Sequence, residues 1–243
     1  MNSTISPEEV EKFSAIADQW WDPNGKFKPL HEFNPLRLTY IRNHIEAHFN
    51  TPLKDLKLLD IGCGGGLLSE PMARLGLQVT GVDASEKNIK TASVHAEKSN
   101  LNINYIASTA ETLAIERPEY FDIILNMEVI EHVADTQLFI DSCLKMLKPN
   151  GIMVIATLNR TVKSYIFAIV GAEYILRWLP IGTHEWEKFL KPSEINNLCG
   201  NQAKRIDIKG ANFNILNKTW SQSPDTDVNY MAVYEKNIQT TDC

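Results

Sequence analysis

The chain has 243 residues, 30 acidic and 24 basic, with a formal net charge of −6. That length holds one large α/β domain or two small ones, and the acidic excess, with no basic stripe, argues against a nucleic-acid partner. Cys63, Cys143, Cys199 and Cys243 are scattered without CxxC spacing, so a reduced, intracellular compartment is expected.

Residues 1–12 carry Glu8, Glu9 and Glu11 and no apolar or Arg-rich stretch, so neither a secretory signal nor a transit peptide is expected there. Ser6-Pro7-Glu8-Glu9 reads as a helix start, with Pro7 at the first position and acids in the first turn. This predicts a helix to about Trp20, broken by Asp22-Pro23-Asn24-Gly25. Asn34-Pro35 predicts a second start, with a helix through Arg37, Tyr40, Ile41 and Ile45 to about Phe49.

Short apolar runs then alternate with helical segments. Strands are predicted at Lys57–Ile61, Gln78–Val82, Ile103–Ala107, Phe121–Asn126 and Ile152–Thr157, the last after the turn Lys148-Pro149-Asn150-Gly151. Helices are predicted at Ser69–Leu75, Ser85–Ser99, Thr136–Leu147 and Pro192–Gly200. Arg205–Ile208 and Val228–Tyr234 read as closing antiparallel strands. The alternation, with strands apolar on both faces, predicts a Rossmann-like doubly wound α/β fold with a mostly parallel sheet of seven strands, the last one antiparallel. Residues 1–50 form an N-terminal helical cover, 51–243 the main domain, and 160–191 a late insertion. The most apolar window, Tyr165–Leu179, is interrupted by Gly171, Glu173 and Arg177 and is too short and too charged to span a bilayer.

The loop Asp60-Ile61-Gly62-Cys63-Gly64-Gly65-Gly66 lies where the first strand meets the next helix. Glycine there lets the backbone turn with positive φ and approach a ligand closely. Asp83, 21 residues beyond Gly62 at the end of the second strand, can accept hydrogen bonds from both ribose hydroxyls of an adenosine. To this point a nicotinamide dehydrogenase fits equally well. Two residues separate the readings: Leu67 stands where the dinucleotide pattern needs a third spaced glycine, and Asp60 adds negative charge where a pyrophosphate would sit. Such a charge suits a ligand with an ammonium and a sulfonium, as in S-adenosylmethionine. The alternative for Asp60 is a buried cap of the loop.

Beyond the fourth strand, Glu128, Glu131 and His132 are spaced i, i+3 and i+4, which on a helical turn puts them on one face. Two carboxylates and an imidazole suit a divalent ion, Mg or another, that could chelate a catechol. Two other readings stand beside it: His132 as a base without metal, and an acid–histidine set that only shapes the pocket. A phenol acceptor needs such help. With a pKa of roughly 10, its deprotonation at pH 7 costs on the order of 4 kcal/mol.

In order over about a hundred residues, Leu58-Leu59-Asp60-Ile61-Gly62-Cys63-Gly64-Gly65-Gly66 with Gly81-Val82-Asp83 resembles the first two motifs of the Rossmann-like methyltransferases. Ser108-Thr109-Ala110-Glu111 resembles their adenine-contacting turn. Phe121-Asp122-Ile123-Ile124-Leu125-Asn126-Met127 resembles the fourth-strand motif that ends beside the cofactor's methionine part, and Leu147-Lys148-Pro149-Asn150-Gly151 the turn before the fifth strand. The resemblance implies S-adenosylmethionine as cofactor, with Arg37 added below, and Asp60, Gly62, Gly64, Gly66, Asp83, Ala110, Glu111 and Met127 in its site.

Trp20-Trp21-Asp22, Gly25 to His31, Asn34-Pro35-Leu36-Arg37, Thr157-Leu158-Asn159-Arg160, Gly171 to Arg177, Gly182-Thr183-His184 and Asp227 to Met231 resemble the ubiquinone-biosynthesis O-methyltransferases, from about residue 8 to 234. That resemblance implies two methylations, of a polyprenyl catechol and of demethylubiquinol. It implies that Arg37, otherwise readable as a surface helix arginine, contacts the cofactor, and its Glu-x-x-Glu-His motif is intact at Glu128, Glu131 and His132. It further implies association with other enzymes of that pathway and a cytoplasmic protein peripheral at the inner face of a bacterial plasma membrane. Residues 161–181, with Lys163, Arg177, Trp178, Tyr165 and Tyr174 beside Ile166, Phe167, Ile169 and Val170, suit an interfacial segment or lid. The alternative is a core-packing helix and a loop.

Overall fold

The computed structural model describes residues 3–166, 185–214, 217 and 219–238. Helix α1 (Pro7–Ser14) starts with Pro7 in its first turn, and Ser6 precedes it without a side-chain cap. It ends earlier than the expected Trp20, and a 3-10 turn at Ala17–Gln19 follows. Helix α2 (Lys28–His48) begins a full turn and a half before the expected Asn34, because Pro29 already occupies its first turn. Pro35 therefore lies inside the helix, where its ring removes one hydrogen bond at a cost of about 3 kcal/mol. Burial of Phe33, Tyr40, Ile41 and Ile45 against the sheet offsets that cost.

The alternating part of the chain folds as β1 (Lys57–Ile61), α3 (Ser69–Arg74), β2 (Gln78–Asp83), α4 (Glu86–Lys98), β3 (Asn104–Ala107), α5 (Ala110–Glu116), β4 (Phe121–Met127), α6 (Thr136–Met146) and β5 (Leu147–Leu158). A single turn of helix, α7 (Val162–Ser164), then α8 (Pro192–Cys199), β6 (Ala203–Asn214), β7 (Thr219–Ser223) and β8 (Asn229–Lys236) complete the described chain. The sheet order is β3-β2-β1-β4-β5-β8-β6-β7. Strands β1 to β5 are mutually parallel, and β8 lies antiparallel between β5 and β6. The order reverses between β1 and β4, which opens a crevice at the carboxyl ends of those strands.

The sheet has eight strands among the described residues, one more than expected. Residues 203–209 of β6 pair with β8, whereas Gly210–Asn214 leave that pairing and form a hairpin with β7. The Thr-Trp-Ser-Gln-Ser sequence of β7 is polar and half exposed, so it lacks the apolar run that marks the other strands. The expected turn at residues 148–151 lies inside β5 as an irregularity, with Asn150 at φ 59° and a register shift opposite Phe121 and Ile123.

Alternation along the strands splits the core in two. Leu59, Ile124, Met153 and Ile155 pack with α5, α6 and α8, and Leu58, Ile123, Leu125 and Val154 pack with α2 and α3. The helical cover thus shares one core with the sheet. Cys63, Cys143 and Cys199 are buried free thiols. Among the described residues no helix is long and apolar enough to cross a membrane. Of the 161–181 segment, residues 167–181 fall outside the described ones.

Candidate active site

A cavity of about 1050 Å³ opens over the carboxyl ends of β1, β2 and β4. That is the upper end of the range for ligand pockets and leaves room for two small molecules side by side. Arg37, Asp60, Gly62, Gly64, Asp83, Ala110, Met127, Glu128, Glu131 and His132 all line it.

At the glycine loop, Gly62, Gly64 and Gly66 have φ of 72°, 52° and 87°, in the left-handed region. A second constraint acts at Gly64, where a Cβ would stand 2.3 Å from the Trp20 side chain. Trp20 lies directly on the loop, stacked at 3.7 Å on Phe27 and donating its Nε1–H to Asn88 Oδ1 at 2.9 Å. Trp21 donates to the Gly65 carbonyl at 2.8 Å and stacks at 3.5 Å on His95. The N-terminal cover therefore packs against the glycine loop.

The Asp83 carboxylate holds the loop from the other side. Its Oδ2 accepts from Gly64 N–H at 2.9 Å, and its Oδ1 accepts from Ser85 N–H at 2.8 Å and Asn88 Nδ2–H at 3.1 Å. Burial pushes its carboxyl up, and these three donors oppose that. Asp60 is buried and accepts from Ser69 Oγ–H at 2.6 Å. Burial raises its carboxyl to about 6, while Ser69 and the Arg37 guanidinium pull it back. Asp60 thus both caps the start of α3 and presents charge to the cavity.

Arg37 is no surface arginine: it is 2% exposed on α2. Its Nε donates to Asn34 Oδ1 at 3.1 Å, Asn34 in turn donates to the Leu67 carbonyl at 3.0 Å, and the guanidinium lies 5.1 Å from the Phe33 ring. Burial lowers its pKa, and the charges of Glu128 and Asp60 counter that. Met127 ends β4 at the cavity, and Ala110 is buried at the start of α5. Glu111, also expected in the cofactor site, is tied to the N-terminal strap. It does not line the cavity, and its carboxylate accepts from Ser3 Oγ–H, Thr4 N–H and Thr4 Oγ1–H at 3.1, 3.2 and 2.5 Å.

Glu128, Glu131 and His132 are not on one helical face. Glu128 has φ 60°, and only Ile130–His132 forms a 3-10 turn. Hydrogen bonds from Glu128 N–H to the Ala156 carbonyl and from His132 N–H to the Val129 carbonyl fix that tight path. Burial and the adjacent Glu131 charge hold the Glu128 carboxyl well above the usual carboxylate range, against the pull of Arg37. Both Glu131 carboxylate oxygens are buried without a hydrogen-bond donor. His132 stands 3.0 Å from Glu9 Oε2 through Nδ1. As these side chains are arranged, no three His, Cys, Asp or Glu groups among the described residues are gathered to hold a metal ion.

Several residues of the site had no signal of their own in the sequence. Glu9 read only as a first-turn acid, Asn88 lies on a helix face five residues past the Gly81-Val82-Asp83 motif, and Phe33, Phe213 and Trp220 line the cavity from α2 and the β6–β7 hairpin. Trp20 and Trp21 stood out only as a family signature.

A family model described as a methyltransferase domain matches residues 59–155. Fold, crevice and that match together define an S-adenosylmethionine-dependent methyltransferase of the Rossmann-like class. Ubiquinone biosynthesis O-methyltransferases of Pelagibacter ubique (strain HTCC1062) and Parvibaculum lavamentivorans are 58% and 56% identical to this chain, over 98% and 96% of it and 100% and 95% of their own lengths. The chain belongs to the ubiquinone biosynthesis O-methyltransferases. The plantazolicin methyltransferase BpumL, solved with a triazolic desmethylPZN analog and SAH, shares its fold at TM-score 0.61 and 20% identity, over 95% of this chain and 98% of that one. A Pyrococcus horikoshii OT3 protein does so at TM-score 0.63 and 18% identity, over 93% and 99%.

Proposed function

We propose that the enzyme methylates the phenolic hydroxyl of a polyprenyl catechol and of demethylubiquinol, the substrates its family name implies. The observation that carries this reading is the carboxylate pair of half-buried Glu128 and buried Glu131, set in the same cavity as Asp60, Asp83 and the glycine loop. Asp83 accepts the ribose hydroxyls with the lone pairs its loop contacts leave free. Arg37, held by Asn34, takes the carboxylate of the cofactor, and Met127 borders its methionine part. Displacement at the sulfonium is in line, so positioning and water exclusion supply much of the rate.

The unpartnered Glu131 oxygens, with Glu128 and His132 next to them in the chain, would hold a divalent cation such as Mg once their side chains turn toward one another. Such an ion would lower the pKa of the bound phenol. Residues 161–181 serve as an interfacial segment at the inner membrane face, and Val162, Tyr165 and Ile166, its described apolar side chains, are 73%, 47% and 51% exposed. Other enzymes of the pathway are the expected protein partners.

Methylation of a short-chain polyprenyl catechol from labelled S-adenosylmethionine tests the reading. Turnover is expected, lost on exhaustive chelation and restored by Mg. Full activity after chelation removes the ion from the account, and turnover of a soluble catechol alone removes the polyprenyl acceptor.

A further inference from the structure

The acceptor side of the cavity contains a carboxylate that no motif includes. Helix α1 buries none of its residues, yet it lies across the cavity. The strap leading into it is tied down by the Thr4 contacts to Glu111 and by Ala134 N–H donating to the Thr4 carbonyl at 3.0 Å. Of its three acids, Glu8 and Glu11 face solvent, whereas the Glu9 side chain is only 13% exposed.

Glu9 Oε2 stands 3.0 Å from His132 Nδ1 as an ion-pair contact rather than an aligned hydrogen bond, with Lys12 Nζ 3.8 Å from the same oxygen. Its other oxygen lies 3.7 Å from Lys188 Nζ, on the 3-10 turn at the far end of the insertion. Phe13, four residues along and so on the same face of α1, meets the His132 ring edge-on at 5.2 Å and 82°. The His132 ring is thus fixed by a carboxylate and a phenyl from a distant helix, in addition to its own tight turn. Among the described residues no protein group is bonded to its Nε2.

We propose that Glu9 is a positioning residue for the acceptor chemistry. It holds His132 through Nδ1, so that Nε2 is presented to the cavity, and the site is complete only when α1 is docked. A carboxylate behind a working imidazole fixes its tautomer and orientation, whether the ring serves as base or as ligand. This rests on His132 being a working group at the acceptor, as proposed above.

Glu9→Gln tests it. Cofactor affinity by calorimetry stays within twofold, because Glu9 touches no part of the glycine loop. With the short-chain polyprenyl catechol, kcat falls about 10- to 100-fold while the acceptor KM changes less than threefold. Imidazole ¹⁵N spectra, taken where the ring is neutral, show the Nδ1–H form of His132 in the wild type and a shift toward Nε2–H in the variant. A wild-type kcat overturns the inference, as does a lowered kcat with the His132 signals unmoved. Full activity in His132→Ala would instead overturn the role of His132 itself, while the ¹⁵N comparison would still report whether Glu9 orients the ring.

Discussion

The two ends of the cavity are built in different ways. At the cofactor end the groups are locally held: Asp83 is tied to Gly64, Ser85 and Asn88, Asp60 to Ser69, and Arg37 to Asn34, all within a few residues or one strand crossing. At the acceptor end the carboxylates of Glu128 and Glu131 are crowded, Glu131 lacks donors, and the imidazole is held by a helix more than a hundred residues away. A preorganised cofactor pocket binds without rearrangement. The acceptor end keeps unmet polar groups, which favour whatever supplies them with partners.

The sharpest way to break the comparison is at the cofactor end. Asp83→Ala removes the proposed ribose acceptor together with the anchor of Gly64, and affinity for S-adenosylmethionine by calorimetry should fall on the order of 100-fold. Unchanged affinity would mean that the pocket is wrongly assigned.

Asp60→Asn should separate stability from binding. The folded carboxyl titrates near 6 against 3.8 for the ordinary group. Because the folded value is raised, the native state binds more protons than the unfolded chain between these values, and wild-type stability is lost as pH climbs through that window. Asparagine does not titrate and can still accept from Ser69. In urea unfolding of the empty protein, the variant should therefore gain on the wild type from pH 4 to pH 6, by at most about 3 kcal/mol, with no further gain above. Cofactor affinity should drop at the same time. A gap that does not change with pH would show that burial does not hold this carboxyl up.

The smallest effect concerns the surface beside the acceptor end. Replacing Val162, Tyr165 and Ile166 together by serine should reduce co-sedimentation with anionic liposomes severalfold and leave cofactor affinity unchanged. If deletion of residues 161–181 leaves co-sedimentation as it was, the segment has no membrane role.

The parallel half of the sheet was legible from residues because each strand there is an apolar run bounded by its own turn signals, and the ends of β1, β2 and β4 fell within a residue or two of expectation. The polar edge strand β7 carries no such run. The start of α2 was misplaced because Asn34-Pro35 imitates a helix start, and burial of the apolar face of α2 overrides it.

The sequence by itself brought Asp60, Gly62, Gly64 and Asp83 to one cavity, since they lie at fixed spacing along one strand–loop–helix unit and the next strand. Family likeness alone suggested the acceptor. Tertiary structure decided how the glycine loop is covered by Trp20, that Glu111 holds the N-terminal strap, and that Glu9 faces His132. These contacts join segments whose separation along the chain carries no periodic signal, so only the packing of the folded chain brings them together.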